Sequence, residues 1–127
     1  MTQTVYPVPR YRDARVAIDF LQRCFGFEPL SVTEGEGDNI VHAELNVGAG
    51  LIMLSSTSDA DPFPAGPSTF YVAVQDPDAH HDRAKGAGAE IVMGLTDQPY
   101  GSREYAARDP EGNVWTFGTY RPQVPGG

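Results

Sequence analysis

His42 and Glu44 stand two apart in Ile40 to Val47, a run that alternates apolar and polar residues, so both side chains leave one face of one strand. An imidazole beside a carboxylate can act as a general base with its orienting group. The commoner outcome of that spacing is a half-exposed, hydrogen-bonded couple. His80 and His81 are neighbours on a helical stretch and cannot both face one site, which assigns them to the surface. Arg103 and Arg108 could grip an anion, but Glu104 and Asp109 adjoin them and ion pairing is the plainer role. Cys24 is the one cysteine; it excludes an internal disulfide and a multi-cysteine metal cluster, and reads as a small core residue. Phe63 and Tyr100 fall in loops, where an exposed ring can grip a planar ligand.

These residues need elements to position them, and the clearest element is a hairpin. Asp109-Pro110-Glu111-Gly112-Asn113 makes a tight turn: Asp109 can accept from the backbone two residues on, Pro110 presets φ, and Gly112 tolerates positive φ. The run that follows is β-branched and aromatic, with Trp115 and Phe117 on its packing face and Val114, Thr116, Gly118 and Tyr120 on the other.

Before the hairpin the chain reads in order. Val5 to Tyr11 is a strand whose Pro7 and Pro9 cannot donate to a ladder, so it belongs at a sheet edge. Asp13 caps a helix carrying Ala14, Ala17, Ile18, Leu21 and Phe25, with Gly26 as its stop. Strands follow at 27–33, 40–47 and 51–55. The polar, proline-rich stretch 57–67 links the halves. A strand at 69–74 leads to a second helix, capped by Asp76 with Pro77 at its first position and ended by Gly86 and Gly88; 89–95 is the next strand. The halves 1–56 and 68–122 therefore repeat at an offset of about 63 residues, in element order and turn chemistry rather than identity. The expected fold is α+β: one domain, 1–127, of two βαβββ units whose small mixed sheets are each backed by one helix and enclose a cleft.

Composition narrows the partners. A net charge of −8 argues against nucleic acid, because a phosphate backbone is neutralised by Lys and Arg. No apolar run is long enough to span a membrane and Met1-Thr2-Gln3-Thr4 opens no signal peptide, so a cytoplasmic location is expected.

Tyr11-Arg12-Asp13-Ala14 through Phe25-Gly26-Phe27, Val74-Gln75-Asp76-Pro77-Asp78-Ala79, and Gly101 to Phe117 together resemble the vicinal oxygen chelate superfamily of glyoxalases, ring-cleaving dioxygenases and antibiotic-resistance proteins. The last stretch is similar to the matching hairpin of bleomycin resistance proteins. Members that do metal chemistry hold ligands at four strand positions, which fall here on Tyr6, Leu54, Thr69 and Thr116. None is a usual ligand for a divalent ion, nor are Val8, Ile52, Tyr71 and Val114 two residues away. The resemblance thus implies a protein with no metal or other cofactor.

If those four positions face the cleft, alternation adds Ile52, Tyr71, Val114 and Tyr120, together with His42, Glu44 and Glu104. Phe63 and Tyr100 join from loops. The resulting wall is apolar and aromatic with a few polar tips, the usual make-up of a small-molecule pocket. The expectation is a homodimeric, bleomycin-resistance-like protein that sequesters an aromatic or cationic compound, with Glu44 and Glu104 as counter-charges. The competing expectation is a metal-independent lyase or isomerase using His42 or Glu44 as base.

Overall fold

In the computed structural model, which describes residues 3–63, 65–123 and 125, the two halves fold into the same unit. Met1 and Thr2 of the expected first half, and Pro64 of the linker, lie outside the described residues. The first unit is β1 (Arg10–Tyr11), α1 (Ala14–Phe25), β2 (Glu28–Glu34), β3 (Ile40–Val47) and β4 (Gly50–Ser56). The second is β5 (Thr69–Ala73), α2 (Pro77–Gly86), β6 (Glu90–Asp97), β7 (Arg103–Arg108) and β8 (Val114–Gly118). Each makes a four-stranded mixed sheet, in the orders β1-β4-β3-β2 and β5-β8-β7-β6, with the first strand parallel to the fourth. The α+β, doubled βαβββ architecture is the expected one.

Local chemistry explains the boundaries. The Asp13 and Asp76 carboxylates accept from the amides of Val16 and Ala79, and Gly26 closes α1 in the left-handed conformation at φ 74°. The first strand is shorter than expected, two residues rather than seven. Pro7 and Pro9 have no N–H to give, so the segment only accepts there; the Pro7 carbonyl takes the Met53 amide at 3.0 Å. It keeps its place at the sheet edge.

The core lies between the inner faces of both sheets and the helices. Ala17, Phe20, Leu21, Cys24 and Phe25 of α1 meet Ala43, Leu45, Ile52 and Leu54 of the first sheet and Tyr105, Trp115 and Phe117 of the second. Trp115 stacks on Phe70 at 4.3 Å and meets Phe27 edge-on at 5.4 Å.

Asp109 joins the halves. Its Oδ2 accepts from Tyr11 Oη at 2.6 Å, Asn113 Nδ2 at 2.9 Å and Trp115 Nε1 at 3.1 Å. Its Oδ1 accepts from the amides of Glu111 at 3.0 Å and Asn113 at 3.1 Å. Next to it, Glu111 accepts the amides of Arg12 and Asp13, so the hairpin turn is bonded to the start of α1. Burial, then the Asp109 charge, pushes the Tyr11 phenol far up, which keeps it a donor.

The helix α2 buries only Pro77 and Ala84 fully, so its docking falls to histidine. This corrects the surface assignment of His80 and His81. His80 lies 4.1 Å from Phe117, donates from Nε2 to the Phe25 carbonyl at 3.1 Å, and accepts at Nδ1 from the Tyr105 hydroxyl. His81 meets the edge of Tyr105 at 5.2 Å, so one tyrosine ring serves both neighbours. The ion-pair partners also differ from expectation. Adjacent strand residues point to opposite faces, so Arg103 pairs with Asp78 at 2.7 Å and Asp97 at 3.0 Å, and Arg108 pairs with Glu90 across the ladder.

Two tests follow from this packing. Asp109→Ala strands three side-chain donors and two amides, and should lower stability by about 3–5 kcal/mol; urea unfolding followed by the fluorescence of Trp115 measures it. Burial holds the His80 imidazole below its ordinary pKa. The unfolded chain therefore binds the proton first as pH falls, and stability should fall from near pH 7 until the folded-state pKa is reached. Urea midpoints between pH 7.5 and 5.5 should show that slope, and His80→Gln should flatten it.

Candidate functional site

The sheet faces turned away from the helices are where side chains remain free. On the second sheet, Tyr71 pairs with Thr116, Thr116 with Ala106, and Gly118 with Glu104, so these residues share one face. Tyr100 reaches over from the β6–β7 loop, and Tyr120 follows β8. With Thr69, Phe70 and Pro122 they line a recess of about 580 Å³.

Glu104 forms the floor. It is only 5% exposed, and both its oxygens accept from one donor, the Tyr100 hydroxyl, at 2.9 and 3.0 Å. That bond is the first cause of the raised Tyr100 pKa. The Tyr71 hydroxyl donates to the Tyr120 carbonyl at 2.7 Å, and the Tyr120 amide donates to Ser102 Oγ at 3.1 Å. Burial is the main reason the Tyr71 phenol is pushed up, so Tyr71 and Tyr100 line the recess as neutral phenol donors. Gly118 makes the arrangement possible. A Cβ there would lie 2.5 Å from Glu104 Cγ, 2.9 Å from Tyr71 Oη and 3.1 Å from Ser102 Oγ.

Tyr71 is shared with a second recess of about 480 Å³, where the Gly48–Gly50 turn and Ile52 of the first unit meet Thr69, Tyr71, Trp115 and Arg121.

The sequence-predicted residues divide accordingly. Thr69, Tyr71, Tyr100, Glu104, Thr116 and Tyr120 come together in the first recess. Val114 is half-buried beside Thr69 on the same face. Tyr6 is half-buried in the extended segment before β1 and lines neither recess. Phe63 is exposed elsewhere, with the Arg10 guanidinium 5.6 Å above its ring. The expected orientation of the first sheet needs correction. Leu54 pairs with Ala43 and Ile52 with Leu45, all on the core side, whereas Glu44 pairs with Met53. Leu54 is fully buried, so it cannot share a face with His42 and Glu44; Met53 and Ser55 do.

His42 Nε2 lies 2.9 Å from Glu44 Oε2 on the outer face of the first sheet, with side chains 42% and 38% exposed. Neither lines the tyrosine recess. Sequence reading missed Ser102, Gly118 and Pro122. Ser102 shares the parity of Glu104, and a glycine inside an aromatic strand is a signal of close approach.

A metal ion is the group this fold class most often carries, and the donor set here does not fit one. Among the described residues no three His, Cys, Asp or Glu side chains gather to hold an ion. The core-facing Leu54 gives its place on the open face to Met53 and Ser55, which are no better as ligands for a hard divalent ion.

Two βαβββ units with helices on the inner faces and open outer faces define a glyoxalase-like fold. The chain belongs to the Glyoxalase/Bleomycin resistance protein/Dioxygenase superfamily, whose family model matches residues 6–117. It is 33% identical over 115 residues to the uncharacterized protein Rv0887c of Mycobacterium tuberculosis, covering 84% of this chain and 68% of that one. Among solved structures it is similar to TioX from Micromonospora sp. ML1, at TM-score 0.78 and 33% identity over 96% of this chain and 99% of that one. A glyoxalase I mutant from Zea mays shares the fold at TM-score 0.74 and 20% identity, over 94% of this chain and 46% of that one.

Filling the space kept by Gly118 tests the recess. Gly118→Ala should cost about 1–3 kcal/mol by overpacking and break the Tyr71–Tyr120 bond; urea unfolding and a crystal structure of the variant would show both.

Proposed function

We propose that this chain is a metal-free binding protein that sequesters an aromatic or cationic small molecule. The observation that carries this reading is the recess walled by Tyr71, Tyr100 and Tyr120 over the buried carboxylate of Glu104. Aromatic walls supply stacking area and apolar burial, and the carboxylate supplies a fixed counter-charge. Capture needs no reacting group. The acidic protein, at net charge −8, favours the approach of a cation. Superfamily membership supports a pocket on the open sheet faces, and the bleomycin-resistance-like hairpin 101–117 supports an antibiotic-resistance type of role in the cytoplasm.

The protein acts as a homodimer in this reading. The outer face of the first sheet, where His42 and Glu44 stand part-exposed beside Met53, is the surface a second copy covers.

One observation favours a second reading, a metal-independent lyase or isomerase. The His42–Glu44 bond at 2.9 Å is the geometry of a base and its orienting group.

Equilibrium dialysis against bleomycin-like and polyaromatic cations should return intact compound from a saturable complex. Ligand at a hundred times its Kd should raise stability by about 2.7 kcal/mol, and chelator should leave the unfolding curve unchanged. Converted ligand, with conversion lost in His42→Ala, would instead establish the enzyme. Sedimentation should give twice the chain mass.

A further inference from the structure

We infer that the tyrosine recess is selective for an organic ammonium cation, one whose positive charge is spread over alkylated or CH-flanked nitrogen. This rests on the binding reading above and names the chemistry of its ligand.

Two buried carboxylates sit at the ends of β7, and their surroundings differ in kind. Asp109 accepts five hydrogen bonds, three from side chains and two from amides. Glu104 is as deeply buried and accepts from a single hydroxyl, shared between its oxygens. Among the described residues it enters no ion pair: Arg103 beside it is turned to the other face and held by Asp78 and Asp97. A carboxylate taken from water needs charge or donors in return. Asp109 has them within the fold. Glu104 has acceptor capacity left over, and it points where the recess opens.

The walls define what can supply the missing charge. Tyr120 stands edge-to-face against Tyr71, with centroids 6.4 Å apart at 62°, and against Tyr100, at 6.2 Å and 81°. Two phenol rings each set at a steep angle to a third give a corner of π-faces and edges rather than a flat slot. A planar neutral ring would use one face of such a corner; a rounded cation meets several ring faces and the carboxylate together. A bare metal ion is excluded by ligand count, since Glu104 is the one acid lining the recess. A guanidinium would want the bidentate edge of the carboxylate, and the Tyr100 hydroxyl, bonded to both oxygens, stands across that edge, so the acceptor capacity left to Glu104 lies off it. A dispersed ammonium needs no directional bond from the carboxylate, so it leaves the Tyr100–Glu104 bond in place. Both Tyr71 and Tyr120 are held by hydrogen bonds to backbone or Ser102, so the corner is preformed.

The test compares choline with its uncharged carbon isostere, 3,3-dimethylbutan-1-ol, and with 2-naphthol as a neutral aromatic, each titrated into the full-length protein. Calorimetry and the proton NMR shift of the methyl groups report binding. Choline's methyl signal should move upfield and saturate, and the isostere should bind at least about tenfold more weakly. Glu104→Gln should weaken choline about tenfold or more and leave 2-naphthol unchanged; Tyr120→Leu, which alters an exposed ring, should weaken choline about threefold to tenfold. Fluorescence of Trp115 checks that both variants fold, and Tyr120→Leu decides if Glu104→Gln does not. Equal binding of choline and its isostere, or undiminished choline binding in the folded variants, overturns the inference. If 2-naphthol still binds in that event, the broader binding reading stands; if the wild-type protein binds neither probe, both readings fall together.

Discussion

The buried carboxylate of Asp109 is the constraint on which the rest of the structure depends. Burying an ion is costly unless donors surround it, and this one gathers its donors from both halves: a tyrosine at the end of the first strand, the indole of the last, and the turn between. Asparagine could not replace it, because an amide nitrogen in place of either oxygen would face donors already committed. Through Glu111 the same turn holds the start of α1. The halves are therefore joined by directional bonds as well as by a common apolar core, and the inner faces of both sheets are used up in making that junction. The outer faces are left open.

That division explains why the second sheet carries the recess. Its inner face commits Phe70, Trp115, Phe117 and Tyr105 to the core, and alternation sends Tyr71, Thr116 and Glu104 outward. Gly118 then removes the one side chain that would stand between them. The first sheet presents a different outer face, where the His42–Glu44 couple stands part-exposed.

Much of this was legible in the sequence because it rests on local chemistry. Asp caps, a glycine stop, an Asp-Pro-Glu-Gly-Asn turn and alternating strands act over a few residues, and the element order follows from them. What escaped was decided across the chain. The fate of His80 depends on a carbonyl in α1 and a hydroxyl on β7, fifty-five and twenty-five residues away. The facing of Leu54 depends on its pairing with Ala43, which the resemblance-based carry-over placed on the wrong side by one residue. The short first strand was foreshadowed by its prolines, although its length was overestimated because side-chain alternation survives where amide donors do not. Glu104 and the tyrosines were found by parity, but the scarcity of donors around that carboxylate could be seen only in three dimensions.

The prolines before β1 have a consequence for how the protein behaves when crowded. An open strand margin is a template on which further strands can add without limit, ending in insoluble fibres. Pro7 and Pro9 strip that margin of regularly spaced amides, so an incoming chain finds nothing periodic to grip. The first sheet is thus barred from recruiting strands along that side.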